Sequence, residues 1–69
     1  MKEYTAIVER DPETGLLVGF IPGLPGAHSQ AELLDELTKN LREVVAMISE
    51  DGIPILESEF VGIQTIQVG

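Results

Sequence analysis

Few residues in this chain are equipped for chemistry, and their spacing limits what they can do. Glu3, Glu9, Asp11 and Glu13 are the candidates for a hydrolytic metal site, which requires several carboxylates converging on a pair of ions. Glu9 and Asp11 straddle the end of an alternating segment and are not brought together by alternation. The helical acids Asp35, Glu36 and Glu43 fall away from the apolar stripe of their own segment. His28 beside Ser29 suggests a nucleophile and its base, yet neighbours on a strand point to opposite faces and no acid is placed to orient the imidazole. His28 therefore reads as a surface or interface residue. Gly23 and Gly26 alternate with Pro22 and Pro25, and proline removes the amide donors with which a glycine-rich loop cradles phosphate. No catalytic, metal or cofactor residue is assigned, and the chain reads as non-enzymatic.

Composition points the same way. Twelve acids against four bases give a net charge of −8, which repels phosphate backbones and steers basic partners. Direct nucleic-acid binding is not expected. The absence of cysteine excludes a disulfide framework and a thiolate metal site, and a single histidine cannot build a multi-histidine one. No apolar run approaches the roughly 20 residues of a membrane span, and the start at Lys2-Glu3-Tyr4 lacks the apolar region of a signal peptide. A cytoplasmic setting without membrane attachment is expected. With 69 residues the chain makes one domain, and at that size only about 60 % of the unfolded surface is buried. Self-association is the natural remedy. Tyr4, Phe20 and Phe60 are the only aromatics, so the core must be aliphatic.

The elements that position these residues follow from pattern. Residues 2–9 alternate, with Tyr4, Ala6 and Val8 on the face expected to meet the core. Asp11, Pro12 and Gly15 mark a hairpin loop of about five residues, and an apolar strand runs from Leu16 to Ile21. Gly19 within it suggests a bulge or a close approach by another backbone. The stretch Pro22-Gly23-Leu24-Pro25-Gly26 then forbids a continuing helix or central strand, and Ile21 and Leu24, each preceding a proline, are biased towards extended backbone. This is a stiff, shaped corner. After it, residues 27–30 suit a short third strand, although Ser29 with Glu32 also has capping-box spacing. Leu34, Leu37, Leu41, Val44 and Ile48 recur at helical spacing, widened by Val45 and Met47, and Gly52 with Pro54 ends the helix. About 18 residues at 1.5 Å each reach about 27 Å, enough to cover a small sheet. Residues 53–59 form a connector, and residues 60–68 return to period two with apolar residues on both faces, as in a final strand.

Together these residues carry a resemblance. Tyr4 to the Asp11-Pro12 turn, Gly15, the corner from Pro22 to Gln30, the helix Leu34-Asp35-Glu36-Leu37 to Asn40-Leu41-Arg42-Glu43-Val44, and Glu59-Phe60-Val61-Gly62-Ile63-Gln64 make the chain similar to the HicB-like type II antitoxins in their short, UPF0150-like form. The resemblance implies an α+β domain of order β-β-β-α-β, a small antiparallel sheet with one long helix on one face, similar to a partial RNase H fold. It implies a prokaryotic protein that binds and occludes a small basic HicA-type toxin degrading mRNA, and that forms dimers or higher oligomers. The chain departs from the family pattern at Ala31, where glycine is common, and at Leu33, where Ser or Thr would cap the helix. The helix is accordingly placed from near Leu33, with a cap weaker by about 1 kcal/mol. Many relatives carry a C-terminal helix-turn-helix or ribbon-helix-helix domain, whereas residues 1–69 read as a single domain without one.

Two surfaces are candidates for the toxin or for a second copy: the corner with Phe20, Pro22, Leu24, Pro25 and His28, and the acidic helix face with Asp35, Glu36 and Glu43. The sheet face opposite the helix, carrying Ile7 and Phe20, would be wet in a monomer. The alternative reading is an orphan structural or regulatory adaptor that keeps the fold without a toxin partner.

Overall fold

The computed structural model describes residues 3–69. Its elements are strands β1 (Ile7–Arg10), β2 (Leu17–Phe20) and β3 (His28–Ala31), then helix α1 (Leu34–Ile48). The strands form an antiparallel sheet in the order β1-β2-β3. This is the small α+β fold expected.

The β1–β2 hairpin is closed by backbone hydrogen bonds and by the Asp11 side chain. The Asp11 amide donates to the Leu16 carbonyl at 2.8 Å, the Glu13 amide to Asp11 Oδ1 at 3.0 Å, and the Gly15 amide to the Asp11 carbonyl at 2.8 Å. Gly15 takes φ 76° to complete the turn, a conformation glycine adopts without steric penalty. The register Arg10↔Leu17 and Val8↔Gly19 continues as Gly19↔Ser29 and Leu17↔Ala31, so Val8, Gly19 and Ser29 share one face of the sheet. Ile7, Phe20 and His28 share the other.

Helix α1 packs on the Gly19 face, and Gly19 is the reason it packs closely. There is no bulge: the pairing runs through Gly19 in register. A Cβ at Gly19 would stand 3.0 Å from Leu37 Cδ2 and 3.1 Å from Leu41 Cδ1, so the close approach is made by helix side chains rather than by another backbone. The core divides into two neighbouring clusters. Ala31, Leu37 and Leu41 form one; Ile21, Leu24 and Ala27, with Tyr4, Val44, Val45 and Ile48 against them, form the other. Ala6 touches both. Every buried side chain among the described residues is apolar.

The helix lies over β2 and β3 and not over β1. Tyr4 and Ala6 meet the core as expected, but Val8, on the same face, keeps 40 % of its surface because nothing roofs that strand. Leu34 is exposed for the same reason, and Met47 lies outside the stripe. The helix is 15 residues long, shorter than its pattern suggests, because its last turn tightens into a single 3-10 turn at Ser49–Asp51 before Gly52 at φ 128°. The third strand wins over the capping box: Ser29 is in β3, and the N-cap is Leu33, with extended backbone and no side-chain hydrogen bond.

The final strand does not form within the chain. Residues 60–68 carry no ladder, and Ile63 and Val68 are 89 % and 92 % exposed.

Two substitutions test this packing. Gly19→Val adds branched bulk against Leu37 and Leu41 and is expected to destabilise by about 2 kcal/mol through overpacking, lowering Tm by roughly 10 °C at matched concentration. Leu33→Asp replaces an exposed residue at an uncapped N-terminus and should add about 1 kcal/mol, raising Tm by roughly 5 °C. Both are read by thermal unfolding followed at the helical circular dichroism signal.

Candidate functional site

The corner between β2 and β3 is two turns in tandem sharing one residue. The Leu24 amide donates to the Ile21 carbonyl at 3.2 Å, and the Ala27 amide to the Leu24 carbonyl at 3.1 Å. In each turn proline precedes a glycine of positive φ, 82° at Gly23 and 83° at Gly26, the sequence a type II turn requires. The Ile21 amide reaches the Ala27 carbonyl at 2.9 Å and closes the loop. Leu24, at the shared vertex, points inwards and is 5 % exposed. This corrects the expectation that it belongs to a contact surface: in this fold Leu24 is core. Pro22 is half-buried, and Pro25 remains exposed.

The corner also holds the connector. The Glu57 amide donates to the Gly23 carbonyl at 2.6 Å, and the Ser58 backbone passes so close over Gly23 that a Cβ there would collide with it. Residues 57–60 are thereby strapped across the corner, and half-buried Phe60 settles beside Tyr4, Ile21 and Pro22. Sequence reasoning missed this strap; the signal was a glycine in a turn with no room for any side chain.

Beside α1, over uncovered β1, an apolar groove of about 690 Å³ opens. Its walls include Tyr4, Ala6 and Val8 from the sheet side, Leu34, Leu41 and Val45 from the helix, and Ile53 and Pro54 from the segment after it. It too was not foreseen, because periodicity places a helix on a sheet without saying how much of the sheet it covers.

The remaining expected residues fall on two separate surfaces. Phe20, 37 % exposed, lies between Ile7 and His28 on the sheet face away from the helix. Asp35, Glu36 and Glu43 are all exposed on α1, on the far side of the molecule from Phe20. His28 and Ser29 point to opposite faces of β3. Among the described residues, no group of three or more His, Asp or Glu side chains is arranged to hold a metal, and no helix is long and apolar enough to cross a membrane.

What fold and surface define is a small α+β domain with an acidic helix, an open apolar groove and a C-terminal segment without a strand partner. Comparison with known proteins carries this one step further. The chain is 41 % identical over 68 residues to a UPF0150 protein of Thermotoga maritima, covering 97 % of this chain and 91 % of that one. It is 40 % identical over 67 residues to a UPF0150 protein of Synechocystis sp., covering 97 % and 96 %. A UPF0150 protein of Archaeoglobus fulgidus is 35 % identical over 66 residues, covering 96 % and 94 %. The chain belongs to the UPF0150 family. No protein-family model and no solved structure matches it significantly.

The strap can be tested against an internal control. Gly23 and Gly26 share nearly the same φ, and a side chain at either carries the left-handed penalty of about 1 kcal/mol. At Gly26 the nearest atom is Ile48 Cδ1 at 4.0 Å, whereas at Gly23 the Ser58 backbone is in the way. Gly23→Ala is therefore expected to free the strap and speed exchange of the Glu57 amide at least tenfold, while Gly26→Ala leaves it protected. Hydrogen exchange resolved to that amide checks the difference.

Proposed function

We propose that this chain is an antitoxin-like, non-catalytic protein that forms a homodimer and neutralises a small basic HicA-type mRNA-degrading toxin by covering its active or RNA-binding surface in the cytoplasm. The observation that carries this reading is the outward side of α1, where Asp35, Glu36 and Glu43 are exposed on a chain of net charge −8. An acidic face on a rigid helix attracts a basic protein and repels RNA, which favours capture of the toxin over competition for its substrate. The similarity to HicB-like antitoxins, spread from Tyr4 to Gln64, supports the same reading.

The test is to mix the purified chain with the basic protein encoded beside it and to follow complex mass and RNA cleavage together. A stable complex with cleavage suppressed is the expected result. Asp35→Lys, Glu36→Lys and Glu43→Lys combined should slow association about tenfold at low salt, with the difference shrinking as salt screens charges beyond about 8 Å. Unchanged association rates would remove the helix face from the interface. Absence of any complex would reduce the antitoxin likeness to one of fold.

A further inference from the structure

The outer edge of β3 is open and undefended. β3 pairs only with β2. The Ile21 amide bonds the Ala27 carbonyl, so the alternation of an antiparallel pair makes Gly19↔Ser29 and Leu17↔Ala31 the bonded pairs, with Phe20↔His28 and Val18↔Gln30 between them. The backbone groups of His28 and Gln30 therefore face away from the sheet. The His28 amide is taken by the Gly26 carbonyl at 3.0 Å, which leaves the His28 carbonyl and both backbone groups of Gln30 without partners among the described residues. Free edges are ordinarily blunted by charge, proline or a bulge. His28-Ser29-Gln30-Ala31 carries no carboxylate, lysine, arginine or proline, and its register with β2 is unbroken.

The helix supplies a charged shelf above that edge. α1 lies over β2 and β3, and its period of about 3.6 residues turns Leu34, Thr38 and Val45 towards the groove and Leu33, Glu36, Asn40, Glu43 and Met47 towards β3. The β3 flank has two carboxylates and no base, with exposed Leu33 and Met47 at its ends. On the other face of the sheet His28 adjoins the partly exposed Phe20. A second copy is a poor occupant, because a two-fold axis along β3 would set Glu36 and Glu43 of one helix against those of the other, and like charges so placed repel. We infer that the β3 edge docks an extended segment of a basic partner, which adds as a strand along His28–Ala31. Its alternate side chains reach Glu36 and Glu43 as lysine or arginine on one face, and Phe20 and His28 as apolar groups on the other. This is strand addition, in which backbone hydrogen bonds give affinity and alternate side chains give selectivity. The inference rests on the basic-partner half of the reading above and names its mode of contact. It also divides the acids of α1, since Glu36 and Glu43 touch the partner whereas Asp35, on the outward ridge, only steers it.

The experiment uses the full chain with two probes: the basic protein encoded beside it, and the peptide acetyl-Lys-Val-Lys-Val-Lys-amide at millimolar concentration. The protein probe is expected to slow hydrogen exchange of the Gln30 amide about tenfold or more, and the peptide to give saturable resonance shifts confined to β3 and the flank of α1 above it. Gln30→Pro removes the outward donor and spares the β2 ladder, since proline is tolerated on an edge strand. It should raise the dissociation constant of the complex about tenfold or more, with the helical signal retained. Glu36→Gln with Glu43→Gln, which leaves the edge backbone untouched, should raise it about tenfold, and Asp35→Gln by less than about twofold. A complex in which Gln30 exchanges as in the free chain, or one indifferent to both the proline and the double variant, would overturn strand addition and leave the antitoxin reading standing. If the neighbouring protein forms no complex while the peptide still shifts β3, the antitoxin reading falls and the docking edge is upheld. Failure of both probes would overturn the two together. A Gln30 amide protected in the chain alone and released on dilution would place a second copy on the edge, and would equally overturn the proposal.

Discussion

The constraint on which the rest of this structure depends is the pair of tandem turns from Ile21 to Ala27. Proline pre-sets the backbone and glycine supplies the positive φ in each turn, so the chain reverses twice without needing long-range contacts to hold it there. The shared vertex then delivers Leu24 into the core against Ile21 and Ala27. The same corner presents the Gly23 carbonyl to the Glu57 amide. One local device thus joins β2 to β3, seats the lower core, and anchors a connector more than thirty residues further along.

The second determinant is the side-chain size of one residue. Because Gly19 offers no Cβ, Leu37 and Leu41 sink onto the middle of the sheet, and the helix centres on β2 and β3. β1 is left without a roof. The result is a lopsided two-layer domain in which one strand has an apolar face and no helix above it, and the groove is a direct consequence of where the helix is able to sit closest.

This explains which features were legible in the sequence. The hairpin, the corner, the third strand and the helix are each specified by residues close in sequence: Asp11 and Gly15, the two Pro-Gly pairs, and the Leu37-Leu41 spacing. Leu33, a residue unable to cap, marked the late helix start, and the N-cap lacks a side-chain bond as its chemistry requires. Features set by contacts between distant residues were not legible. The burial of Leu24 depends on Val44, Val45 and Ile48, the strap on Gly23 meeting Ser58, and the groove on the lateral position of α1. Residues 60–68 show the divide most clearly. Their alternation reads as a final strand, yet no ladder forms, because alternation carries no information about whether a sheet edge is within reach.

The surfaces of α1 follow from the same geometry. Its inner side, through Leu37 and Leu41, is occupied by the sheet. One flank, through Leu34, Leu41 and Val45, borders the groove, and the outer side bears Asp35, Glu36 and Glu43. The flank is apolar, and dispersion and burial act there over short range. The outer carboxylates act through a field that extends about a Debye length into solution. The two surfaces therefore differ in kind and lie on different sides of one helix.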